Sequence, residues 1–275
     1  MRSTGKQKLL DVCAQSMASG HIDEAGELAL RRWWLRQRNR AEDLIATFTA
    51  CPVADWTGRI LAHRAHRHPW YGLLANEVTL QEFATFMLEN KSFPMFLPLA
   101  ERALQVQICE QARAALQRNI DDEQVPVPHA DLMRRLMGAL KALAGDGLQV
   151  QVYASLIDRT LVYYYGYYLD PWSLVGSMYV TEAVAFQRLR DMNRGLQRLG
   201  LRPDDLEFIR VHMSCDEGHA RDWTDCVIGP TLGLNPSLRT HIAAGIAVSL
   251  ETSARYLDRL VDRRQTVAVS ESPAG

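Results

Sequence analysis

The sequence predicts an all-α protein, and three observations carry that prediction. Apolar residues recur at intervals of three and four through most of the 275 residues, and Gly and Pro gather between the periodic segments. Only residues 148–153 alternate with period two; a lone alternating stretch without a turn-linked partner forms no sheet, so we read it as the approach to a helix. Nothing repeats at a fixed period, and no Gly/Ser- or Pro-rich linker divides the chain. The expected organisation is an N-terminal helical extension over residues 1–50, a helical domain over 51–265 and a flexible tail over 266–275.

Taken in order, the predicted helices cover roughly residues 5–18, 22–50, 54–67, 79–120, 129–143, 150–168, 172–199, 204–228 and 236–264. The second carries the basic run from Arg31 to Arg40, interrupted by Trp33 and Trp34. On an amphipathic helix this reads as a solvated face with Trp anchors turned toward a core or a second subunit, so a homodimer through Trp33 and Trp34 is the expectation. Thr79 followed by Glu82 predicts a capping box at the start of the 79–120 segment. Pro128 suits the first turn of the next helix, and Pro203-Asp204-Asp205 places acids at a positive helix end. In the 172–199 helix, Gly176 and Ser177 let a neighbouring helix approach closely.

Composition removes several function classes. Lys+Arg 31 against Asp+Glu 32 leaves a net charge of −1, so no global field draws the chain to nucleic acid or to an anionic membrane, and neither is an expected partner. The longest apolar stretches, such as residues 242–250, fall short of the roughly 20 residues a bilayer span needs. Asp11 interrupts the first apolar run, which argues against a secretory signal, and a cytoplasmic location is expected. The five cysteines are odd in number and widely spaced, fitting neither a disulfide framework nor a thiolate zinc site; reduced thiols are expected.

Chemistry concentrates at three places. His212, Asp216 and His219 stand at i, i+4 and i+7 and share about 60° of helical arc, so two imidazoles and a carboxylate lie on one stripe. A metal ion answers all three at once; a solvated face or a helix-end hydrogen-bond network is the competing reading. Glu182 is the only charge between Asp170 and Arg188, in a mostly apolar helix, where a carboxylate is neutral, paired or metal-bound. The 79–120 helix runs on into Asp121, Asp122 and Glu123, which the negative helix end disfavours unless a cation answers them, and the chain restarts at His129 after two prolines. Glu123 and His129 could face the same ion, or form a solvated acidic loop and a helix-start histidine. Together the three carboxylates and three imidazoles make a nitrogen and oxygen donor set without thiolate, suited to non-haem iron or manganese and large enough for two ions.

Glu123-x5-His129, an isolated Glu182 after Leu174-x-Gly176, and His212-x3-Asp216-x2-His219 together resemble the haem-oxygenase-like diiron oxidases, the iron-containing redox enzyme family. His68-Pro69-Trp70, Asn119-x3-Glu123 and Gly138-Ala139-Leu140 add to the resemblance, which spans roughly residues 65–228. It implies a haem-oxygenase-like helical bundle whose core helices hold two iron ions per chain, Fe(II) cycling with Fe(III), with dioxygen as co-substrate and a peroxo-diferric intermediate. Activities of the family include N-oxygenation of amines, oxidative decarboxylation of fatty acids, and fragmentation or cyclisation of amino acids, often in specialised metabolism. Some members add a carboxylate from the preceding helix, for which Glu101 is the candidate. Plain haem oxygenases share the fold but use one proximal histidine; His63, His66 and His68 are the residues open to being mistaken for it, although a haem pocket would leave the carboxylates unexplained.

The substrate is less legible. Arg188 and Arg221 lie on the helices carrying Glu182 and His219, and each can pair with a carboxylate. The run Tyr163-Tyr164-Tyr165-Gly166-Tyr167-Tyr168 packs helices together or lines a pocket, with Tyr165 as its substrate-facing candidate. A small amino acid or amine is therefore expected, oxidised by C–H abstraction or N-oxygenation, with an external electron donor as a further partner. A fatty-acid decarboxylase of the same family and a non-catalytic helical binding protein are the alternatives.

Overall fold

A computed structural model describes residues 4–90, 95–106, 109–145 and 154–271, apart from the side chains of residues 4, 215–217 and 267–271. All regular structure among the described residues is helical. The chain starts with α1 (Thr4–Ser16), α2 (Glu24–Arg40) and α3 (Glu42–Ala50). Asp23 caps α2 by accepting a hydrogen bond from the Gly26 amide at 2.7 Å, with Glu24 and Glu27 at the positive end and Arg38 and Arg40 at the negative one. The predicted 22–50 helix breaks at Ala41 with neither Gly nor Pro to signal it. Ala41 is buried and its amide is shared between the carbonyls of Gln37 and Arg38, so packing makes the break.

Trp33 and Trp34, the residues expected at a dimer contact, are engaged within the chain. Trp33 Nε1 donates to Asp158 at 2.8 Å, and Trp34 stacks on Tyr165 with ring centroids 4.1 Å apart. Both indoles are buried in the chain's own core.

After α4 (Trp56–Ala62), a short helix unforeseen by periodicity, α5 (Pro69–Asn76), opens with Pro69 in its first turn and the His68 side chain accepting from the Trp70 amide. The predicted 79–120 helix is three helices: α6 (Leu80–Glu89), α7 (Phe96–Leu104) and α8 (Glu110–Asp122). Thr79 and Glu82 form the expected capping box. The sequence sets Pro94 and Pro98 between α6 and the body of α7, and each removes the amide donor that a continuing helix needs. Next come α9 (His129–Ala144), α10 (Ala154–Tyr168), α11 (Pro171–Arg198) and α12 (Glu207–Asp222). A 3-10 turn, Pro203–Leu206, precedes α12, and a π turn, Trp223–Ile228, follows it. The chain closes with α13 (Gly229–Leu234) and α14 (Arg239–Glu271), which runs past the expected end at 264. Residues 148–153, read as the approach to a helix, lie outside the described residues.

Helix α11 is the hub, packing against α5, α7, α10, α12 and α14. Its approach to α14 is backbone to backbone: a Cβ at Gly176 would sit 2.1 Å from the Ile242 carbonyl oxygen, and one at Gly245 would sit 2.0 Å from that of Ser173. The close approach expected at Gly176 and Ser177 is thus present, with α14 as the partner.

The buried apolar residues fall into two clusters, and the division sets the stage for the site. One cluster takes Leu116 and Ile120 of α8, Leu174 to Val180 of α11 and Trp223; the other takes Leu132 and Met133 of α9, Ala185 to Leu196 of α11, and Phe208 and Ile209. Glu123 and His129, Glu182, and His212 and His219 all fall in the gaps between them along the chain. A buried polar layer divides the core there. No described helix is long and apolar enough to cross a membrane.

Candidate metal centre

The corner between α8 and α9 is closed by the His129 amide, which donates to the Glu123 carbonyl at 2.9 Å. This places the Glu123 and His129 side chains together, and α12 brings His212 against them. One donor atom each from Glu123, His129 and His212 lie within 4.8 Å of one another, and all three residues are buried. His129 Nδ1 is 3.1 Å from Glu123 Oε2, and His212 Nε2 is 3.7 Å from Glu123 Oε1.

These contacts suit ligands of a shared ion better than a hydrogen-bond network. Two donors, each about 2.1 Å from a metal and about 90–110° apart, are separated by about 3.0–3.4 Å. The His212 contact is too long for a hydrogen bond, and His129, 1% exposed, makes none through either ring nitrogen among the described residues. His212 Nδ1 donates to the Phe208 carbonyl at 2.8 Å, which turns Nε2 toward Glu123. A buried set of one carboxylate and two imidazoles converging on one point fits an iron ion.

A second pair lies further along α12. His219 Nδ1 is 3.5 Å from Glu182 Oε2, while His219 Nε2 donates to Asp122 Oδ2 at 3.0 Å. Asp122 was passed over in the sequence beside Glu123, though it belongs to the acidic helix end that marks the corner. It orients His219 from outside and is itself more than half exposed, at 57%. Asp122→Ala is expected to lower Fe(II) affinity about 10–100-fold, with little change in melting temperature, as read by anaerobic titration and thermal denaturation. The Asp216 side chain lies outside the described residues.

Burial alone would raise the Glu123 carboxyl, but the two facing imidazoles outweigh it and bring it from 4.5 down to about 2. A carboxyl depressed in the folded state adds stability that is complete above its unfolded pKa and is lost as pH falls through the folded one. Metal-free protein is therefore expected to lose stability between pH 4.5 and about 2, and Glu123→Gln to flatten that slope in denaturant melts across this range.

Glu123, Glu182 and His212 line a cavity of about 170 Å³ whose other walls are mostly apolar, among them Phe86, Met87, Leu99 and Met133. Of the residues named for substrate, Arg188 lines this cavity and Tyr165 does not, being stacked on Trp34; from the 163–168 tyrosine run it is Tyr163 that lines it, beside Tyr71 and Tyr256. Arg221 and Glu101 are exposed and are not among the lining residues. A cation that sequence reasoning missed, Arg159, also faces the cavity. His63 and His68 are occupied with Glu251 and Asp258 of α14, at 3.3 and 3.1 Å. The four cysteines with described side chains are free thiols.

Comparisons with known proteins bear on the fold and the family. A search of curated proteins finds no match. Two crystal structures of a CADD-like protein of unknown function from Nostoc punctiforme PCC 73102 superpose with TM-scores of 0.59 and 0.57, at 17% and 16% identity, covering 77% and 81% of this chain and 96% and 97% of theirs. A domain of unknown function with a heme oxygenase-like fold from Shewanella denitrificans OS217 superposes with a TM-score of 0.56 at 16% identity, covering 80% of this chain and 93% of that one. At such identities these likenesses establish the fold. The sequence model of the iron-containing redox enzymes matches residues 90–254, more than half of the chain and a span holding every residue of the centre. With a heme oxygenase-like helical fold and that match, the chain belongs to the iron-containing redox enzyme family.

Proposed function

We propose that this protein is a non-haem iron oxidase or oxygenase that uses dioxygen to oxidise a small amino acid or amine. Two ions per chain would be held by Glu123, His129, Glu182, His212, Asp216 and His219. The observation that carries the reading is the shared wall: Glu123, Glu182 and His212 line one cavity, so ligand atoms and a bound organic molecule meet there. When bound, iron supplies the one-electron chemistry with dioxygen that no side chain provides.

The chain's own residues do the rest. Glu123 and Glu182 would offset the charge of the ions, the Phe208 carbonyl and Asp122 fix which imidazole nitrogens face inward, and the apolar walls exclude water. Electrons leave a C–H or N–H bond of the substrate for dioxygen. A substrate that gives two of the four electrons needed to reduce dioxygen to water leaves an external donor to give the others.

The apolar lining favours one second reading, oxidative decarboxylation of a fatty acid. A screen of Fe(II)-loaded protein against amino acids, amines and fatty acids, reading oxygen-dependent product mass, separates the two. Turnover of an amino acid or amine is expected. Turnover of a medium-chain fatty acid alone would transfer the assignment to the decarboxylase, and no iron-dependent product from any class would remove both.

A further inference from the structure

The cavity beside the centre holds two guanidinium groups with no acid to answer them. Arg188 is half-buried on α11, on the face that also carries Thr181, Ala185 and Met192 into the cavity. It makes no hydrogen bond or ion pair among the described residues. The titratable ring it acts upon, His66, is held toward its neutral form by burial first and then by the charge of Arg188 itself. Arg159, half-buried on α10, donates to the Asn90 side-chain oxygen and lies over the Tyr256 ring, 5.5 Å from its centroid.

Arg159 is held in place by a chain of polar groups. Asn90 Nδ2 donates to the Tyr256 hydroxyl at 3.0 Å, the hydroxyl donates to Glu89 Oε2 at 2.7 Å, and Arg263 bonds the other Glu89 oxygen at 3.2 Å. The acid of this chain is therefore used by Tyr256 and Arg263, and Arg159 receives only neutral partners. The remaining acids on the cavity wall are Glu123, faced by His129 and His212, and Glu182, faced by His219. What is left is a largely apolar space with two uncompensated cations, an arrangement that is costly until an anion enters.

We propose that this cavity binds a small organic acid, its carboxylate taken by the guanidinium groups of Arg159 and Arg188. Its carbon chain lies on the apolar walls, and its far end is directed at Glu123, Glu182 and His212. The direction of the chain rests on the proposed function; recognition of the carboxylate does not. A space of about 170 Å³ holds on the order of ten heavy atoms. Arg188 lies six residues beyond Glu182, about 9 Å along the helix, which suits a short chain between anchor and centre. An amine without an acid group is thereby disfavoured as substrate.

The test is calorimetric and needs no turnover. Metal-free protein is titrated with straight-chain monocarboxylates from butyrate to decanoate, with L-norleucine, and with the primary amide of each monocarboxylate; Fe(II) stoichiometry is measured in parallel. At least one acid should bind, its amide at least tenfold more weakly. Arg188→Met and Arg159→Met should each weaken acid binding at least tenfold while the amide is unaffected. Fe(II) stoichiometry should not change in Arg188→Met, and methionine keeps much of the arginine stem's apolar bulk, so this variant decides should Arg159→Met fail to fold. Equal binding of acid and amide, wild-type acid affinity in Arg188→Met, or no binding by any acid would overturn the proposal. Acid binding that survives in a protein taking up no iron would sink the oxidase reading and leave this one intact.

Discussion

Glu123→Ala is expected to lower Fe(II) affinity at least a hundredfold and to take iron-dependent product formation below detection. Glu123 faces both His129 and His212, at 3.1 and 3.7 Å, so one substitution removes the carboxylate on which the buried cluster converges. Removing an outer partner of a metal ligand costs about 10–100-fold, and a direct ligand costs more. The metal-free protein should also lose stability at neutral pH, by about 1–3 kcal/mol, because buried imidazoles are left without the acid opposite them. Glu123→Gln keeps the volume and one acceptor oxygen but not the charge, and should fall between alanine and wild type in affinity. Anaerobic Fe(II) titration and thermal denaturation of both variants check this. A purely structural polar network would show the stability loss with iron uptake unchanged.

Gly176→Val and Gly245→Val should each destabilise the protein by on the order of 3 kcal/mol or more, a large share of a total of about 5–15. Backbone atoms of the partner helix stand 2.1 and 2.0 Å from the sites of the new Cβ atoms, and backbone cannot swing aside as a side-chain tip can. The clash separates α11 from α14, and α11 carries Glu182. Iron uptake should therefore fall with stability. Gly138 in α9 is the control, since a Cβ there meets nothing within 4 Å. Gly138→Ala should be neutral or stabilising by up to about 1 kcal/mol. Denaturant midpoints for the three variants separate a packing effect from a general intolerance of glycine replacement.

These positions also show what a sequence discloses. Gly176 was legible because a small residue in an otherwise bulky apolar helix has few uses besides close approach. Glu182 was legible as a lone charge among apolar residues, and the same rule applied to α10 would have found Asp158 and Arg159, the only charges between Ala154 and Tyr168. The tyrosine run drew attention instead, yet of its members only Tyr163 reaches the cavity. The break at Ala41 was not legible, because no local signal makes it; the burial of Ala41 and the turn of α3 onto α14 do. The burial of Trp33 and Trp34 depended on Asp158 and Tyr165, more than a hundred residues away, and no periodicity reports such a partner. Asp122 was hidden by its neighbour: a run of acids does not say which one faces the ion and which holds a histidine from behind.

Titrating metal-free protein anaerobically with Fe(II), then admitting oxygen with a substrate found in the screen and reading product, tests the iron centre most directly. Product should rise with added iron, saturate near two equivalents per chain, and stay absent when zinc replaces iron. Full activity in chelator-stripped protein, or stoichiometric zinc binding with activity indifferent to iron, would contradict it.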